Sequence, residues 1–177
     1  VPLYPKEYIE YLVHFHGDRD YFECHEILEE YWKKVDKNNK KSILVGFILL
    51  AVSNYHHRLR NWSGAIRTLQ KSINIFHEQK EQLEHYGLTL NVLSPLLKER
   101  LTSIQNHQDY KSMNLPIQDP KLLEVCKKAC LEKNFIWGQE SDLTNEELVQ
   151  RHSKRDRSGV IEERNQALLV RQRKGKE

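Results

Sequence analysis

Residues 43–52, ILVGFILLAV, are the longest apolar stretch in the chain, and Ser53 and Asn54 end it. Ten residues fall short of the roughly 18 that a membrane-spanning helix needs. A segment apolar on every face must instead be packed on several sides, so residues 42–60 are expected to form the central helix of a bundle. Gly46 weakens such a helix relative to Ala, which is explained if another backbone approaches closely there. Only 7 Gly and 5 Pro occur among 177 residues, and 30% are charged, which argues against a β-sandwich and against low-complexity disorder. Strand-type alternation is nowhere sustained. The expected fold is all-α: an antiparallel helical bundle with a C-terminal helical extension.

Start and stop signals divide the chain further. Pro5 opens a short helix whose Tyr8, Ile9, Leu12 and Phe15 recur at helical spacing up to Gly17. Asp18 or Asp20 caps a second helix over residues 21–34, with Glu23 placed as in a capping box. Asn61 or Ser63 caps a fourth helix that runs unbroken to Gly87 and is about 35 Å long at 1.5 Å per residue. Ser94 and Pro95 begin a fifth over residues 95–107. The polar, Pro-containing stretch 108–120 predicts a linker between a core of residues 1–107 and an extension of residues 121–177. Within that extension, residues 121–133, 144–152 and 158–174 read as helical.

Residues 151–177 carry nine basic and four acidic side chains, a net charge of +5 that leaves −2 for residues 1–150. Such a tail can attract a polyanion, but no aromatic or Gly-rich recognition motif accompanies it, so nucleic acid is the least favoured partner. Cys24, Cys126 and Cys130 are odd in number and lack disulfide or zinc-finger spacing, which fits reduced thiols. The opening VPLYPKEYIEY has no basic n-region or apolar h-region. A cytoplasmic location without a membrane is therefore expected. Phosphate-loop, Ser-His-Asp and Cys-His catalytic patterns are also missing from the sequence.

The unusual chemistry lies in YFECHEILEEYW. At 100° per residue, Tyr21, Leu28, Trp32 and Val35 fall within about 40° of one direction, and His25 lies among them, pointing into the core. Glu29 follows one turn later, close enough to share a proton or a ligand with His25. A buried imidazole must find a partner. Either the pair only fixes packing, or His25 and Glu29 are two ligands of a divalent metal. HEILE has Glu29 where a metalloprotease HExxH helix has its second His, so that motif is absent. A further nitrogen ligand could come from His56, which continues the row Val45, Leu49, Val52 on what reads as a packed face. Trp32 is expected to be a core aromatic and Asn61 a helix cap.

Together, YFECHEILEEYW, GFILLAVSNYHH and RNWSGA resemble the bacterial and archaeal helical proteins of the domain of unknown function 309 family, over residues 15–85. The resemblance matches His25, Glu29 and Trp32 to the family's His, Glu and aromatic positions. It also matches Gly46, His56, and the Asn61, Gly64, Ala65 turn. It departs from the pattern at Cys24 for Ala, Leu49 for Gln, and Arg60 for the Gly before Asn61. What it implies is a helical protein with a metal site under consideration and no established activity.

Two functional expectations lead. One is a divalent metal, zinc, iron or manganese, on His25, Glu29 and His56, with Glu26 or Glu30 as the nearest base if the metal activates water. The other is a protein–protein interaction module, with a protein partner or a second copy of the chain. In it the helix pair around RNWSGAIRTLQKSI would resemble a tetratricopeptide unit, small residues allowing close packing beside an open groove. Whether the chain is an enzyme is left open by the sequence.

Overall fold

A computed structural model describes residues 3–150. Among these residues there are eight helices and no strands: α1 (Lys6–His16), α2 (Tyr21–Val35), α3 (Ile43–Arg58), α4 (Trp62–Glu78), α5 (Lys80–His85), α6 (Leu90–Gln105), α7 (Pro120–Glu132) and α8 (Glu146–Val149). The basic tail and the helices expected beyond residue 150 lie outside the described residues. Within them, no helix is long and apolar enough to cross a membrane.

The architecture is the expected helical bundle. Central α3 packs on α2 and α4, α1 packs on α2 and α7, and α6 packs on α4. Its core is aromatic: Tyr8, Tyr11, Phe15, Tyr21, Phe47 and Phe76 are each fully buried. Buried hydroxyls find acceptors, as where Tyr11 donates to the Phe47 carbonyl at 2.8 Å and Tyr8 to the Tyr86 carbonyl at 2.7 Å. Such pairing removes the desolvation penalty that an unmet phenol would carry.

Local sequence explains the ends of the helices. Asp20 caps α2 by accepting from the Glu23 N–H at 3.1 Å, and Ser42 caps α3 by accepting from Leu44 N–H at 3.2 Å. At the far end of α3, Arg60 N–H donates to His57 O and Asn61 N–H to His56 O, the two bonds of a Schellman motif. That motif puts Arg60 at φ 58°, the left-handed region in which glycine is favoured. Gly46 is a point of close approach, as expected, but to side chains rather than backbone. A Cβ there would lie 2.9 Å from the Phe76 ring and 3.1 Å from Ile75.

Several expectations need correction. The long fourth helix is interrupted at Gln79, which has φ −107° and ψ 36°, so α5 sets off separately and buries Leu83. The fifth helix starts at Leu90 and contains Pro95 in its interior; Leu90, Leu93 and Leu97 are its buried stripe, and packing of the first two recruits the turn before the proline. The stretch expected to be a linker is tied to the core. Leu115 N–H donates to His16 Nε2 at 2.9 Å, Gln118 N–H to Gly87 O at 2.7 Å, and Arg19 donates to Met113 O at 2.6 Å. Leu115 shares one hydrophobic cluster with α7 residues Leu122 and Cys126.

Candidate functional site

The second helix buries only part of the stripe that its wheel suggested. Tyr21, Phe22, Cys24 and Leu28 are its buried residues, while Val35 is 55% exposed. Its last three residues, Lys33, Lys34 and Val35, are exposed, so an apolar side chain there does not report the core direction. The side chains of His25 and Glu29 are half-buried, 26% and 33% exposed, rather than enclosed. They do meet: His25 Nε2 lies 2.6 Å from Glu29 Oε2, and Lys33 Nζ lies 2.8 Å from the other carboxylate oxygen. The hydrogen bond from His25, helped by Lys33, pulls the Glu29 carboxyl down to about 2, so it stays ionised across the ordinary pH range. Glu30 is exposed and 3.6 Å from Lys34, whereas Glu26 is half-exposed.

The row Val45, Leu49, Val52, His56 does share one face of α3, but all four are half-buried and the face is open. Its neighbour His57 is fully buried. His56 and Val52 line a small cavity of about 130 Å³ with Tyr21, Phe22, His25 and Tyr55. Asn61 governs the His56 ring. As the α4 cap, its Oδ1 accepts from Gly64 N–H at 3.2 Å, so Nδ2 donates to His56 Nδ1 at 3.1 Å. Accepting at Nδ1 leaves the proton of neutral His56 on Nε2, where a metal would need a lone pair. A Cβ at Gly64 would fall 2.7 Å from the Asn61 amide, which explains the small residue there. Among the described residues, no group of three or more His, Cys, Asp or Glu is placed to hold a metal ion. The arrangement brings His25 and Glu29 together and sets His56 across the small cavity.

The other two members of the row, Val45 and Leu49, line a larger groove of about 560 Å³ between α2, α3 and α4. Ile48, Ile75 and Trp32 complete its apolar lining, and Lys40, Lys41, Lys71, Asn74, Glu29 and Glu78 supply the polar part. Trp32 is half-buried with its indole N–H donating to Asn39 O at 3.0 Å, an anchoring bond that holds the ring in place. Lys41 and Glu78 face each other at 3.5 Å. None of the lysines was singled out by the sequence, although KNNKK immediately before an apolar helix is a signal that could have marked them.

Sequence reasoning also missed the buried cations. Arg19 is 1% exposed and donates to Phe15 O, Met113 O, Gln139 O and Asn114 Oδ1. Arg58 is 7% exposed and lies over the Tyr21 ring at 4.8 Å. No periodicity argument finds an arginine whose partners are carbonyls from distant segments.

A family model described as Domain of unknown function (DUF309) matches residues 8–68, a span that holds His25, Glu29, His56 and Asn61. The chain is 46% identical over 171 residues to the uncharacterized protein YpuF of Bacillus subtilis (strain 168), covering 97% of this chain and 98% of that one. No solved structure matches.

Proposed function

This chain belongs to the DUF309 family, and on that premise we propose that it is an interaction module whose groove between α2, α3 and α4 receives an apolar helical segment with acidic flanks. The observation that carries this reading is the half-buried row on α3. Val45 and Leu49 remain partly open to water beside Trp32, in a groove whose lining includes three lysines. A partner helix would bury that surface by the helix-in-groove mode, and Lys40 and Lys71 would attract its acidic flank. Small residues support the rest of the tetratricopeptide-like expectation: Gly46 and Ala65 let α3 and α4 pack closely, with Ser53 donating to Ala65 O at 2.8 Å.

The test is selection from a displayed library of amphipathic helical peptides. Enrichment of acid-flanked sequences that bind the protein and lose binding to Leu49→Asp and Lys71→Glu is the expected result. Peptides without charge bias, or binding unaffected by both changes, would contradict the proposal.

A second reading rests on the His25–Glu29 pair. A divalent zinc, iron or manganese ion would take the place of the proton these side chains share, supplying Lewis acidity at an open site with two protein ligands. The pair fits that role, since Glu29 is already ionised, whereas His56 would have to exchange its Asn61 bond to join. Metal analysis of protein purified without a metal-affinity tag tests it. Stoichiometric metal lost in His25→Ala is expected; a His25→Ala variant that retains the same metal content would refute the assignment.

A further inference from the structure

We propose that Arg58 forms an oxyanion-binding site for a phosphate group, beside the groove reading and independent of it. Arg58 Nη1 has both hydrogens committed, to Arg19 O at 2.8 Å and Ser141 Oγ at 3.0 Å. Its other edge is different. Nε has no hydrogen-bond partner although the residue is buried, and among the described residues Nη2 makes only a long 3.4 Å contact to Leu148 O. One Nε–H and one Nη2–H therefore stand side by side, the fork that matches two oxygens of a phosphate.

The surroundings favour an anion. The Arg58 guanidinium lies 4.8 Å from the Tyr21 ring centroid and 5.8 Å from that of Tyr110, and Arg100 lies 5.5 Å from the Tyr110 ring. Arg100 donates to Asn54 Oδ1 and Lys111 O, while burial lowers its affinity for its proton. Among the described residues, no carboxylate reaches ion-pair distance of Arg19, Arg58 or Arg100; the nearby Asp109 is held by Arg60 at 2.7 Å. Among the described residues, the three guanidinium groups thus meet neutral oxygens and aromatic faces, an arrangement that a dianion would complement. Arg100, Tyr110, Ser112 and Ser141 are half-exposed, so the cluster reaches the surface along the seam where Ser141 N–H donates to Ser112 Oγ at 2.9 Å. A phosphate entering there replaces the long Leu148 contact.

Calorimetric titration and thermal unfolding of the full chain with inorganic phosphate and with phenyl phosphate, at ionic strength held constant with chloride, test the proposal. Either phosphate should bind at one site per chain and raise the melting temperature where chloride does not. Tighter binding of phenyl phosphate would identify an ester as the ligand, and binding of inorganic phosphate alone would identify the free ion. Arg58→Lys keeps the charge but removes the fork, and should weaken binding by about tenfold or more. Arg100→Gln leaves the fork intact, should fold even if Arg58→Lys does not, and should weaken binding less. No binding by either phosphate, or binding unchanged in the variants that fold, would overturn the assignment.

Discussion

The imidazole of His16 is held neutral by two opposed hydrogen bonds. Nδ1–H donates to Leu12 O at 2.7 Å and Nε2 accepts from Leu115 N–H at 2.9 Å, while the ring stacks on Trp137 at 4.1 Å. Burial pushes its pKa from 6.5 down to about 3. Below pH 6.5 the unfolded chain binds a proton that the folded chain refuses, so this contribution is complete above 6.5 and declines as pH falls toward 3. Going from pH 7 to pH 5 should cost about 2 kcal/mol through this residue. Urea midpoints at the two pH values should show that loss in the wild type and a correspondingly smaller one in His16→Gln; equal losses would contradict it. Arg60 gives a second residue-scale prediction. Although exposed, its φ of 58° makes a β-branched side chain strained, so Arg60→Val should be less stable than Arg60→Gly by about 1 kcal/mol or more in chemical denaturation. Departure from the family's Gly at this position was legible in the sequence, but its backbone cause was not. His25 was misread because an angular projection of α2 does not show the small cavity that opens between it and α3.

Helices α1, α2, α3 and α7 begin close to where the sequence places them, because Pro5 presets the backbone at the start of α1 and Asp20, Ser42 and Asp119 cap the other three through neighbouring backbone N–H groups. Where packing decides, the signals fail. Leu90 and Leu93 pull helix ahead of Pro95, and the break at Gln79 has no Gly or Pro to announce it. The α3 row was read correctly as a row and incorrectly as buried, since one face of an almost wholly apolar helix cannot be told from another without its neighbours. Close packing between α3 and α4 yields a prediction at this scale. Gly46→Val should destabilise the protein by about 1–3 kcal/mol, measured by thermal or urea unfolding, because the added atoms meet the buried Phe76 ring. A neutral effect would show that the two helices are looser than described.

Across the whole molecule, segments far apart in sequence are held by a few buried polar groups. Arg19 alone joins the end of α1 to residues 113–114 and 139. Replacing it, as in Arg19→Met, strands several carbonyl acceptors and should cost about 3 kcal/mol or more. Hydrogen exchange should accelerate around residues 113–118 and 138–141, with α3 and α4 much less affected. Such long-range carbonyl partners have no sequence signature, which is why residues 108–120 read as a linker while serving as part of the packed body. The groove is likewise a property of the assembly, made by three helices whose individual patterns suggest only burial. Its role is tested most directly by an NMR titration of the isotope-labelled full chain with an acid-flanked amphipathic helical peptide. The Trp32 indole N–H, the Asn74 amide and the methyl groups of Val45, Leu49 and Ile75 should shift together and saturably. Shifts confined to the Arg58 and Tyr110 region, or none at the groove at saturating peptide, would contradict the interaction-module account.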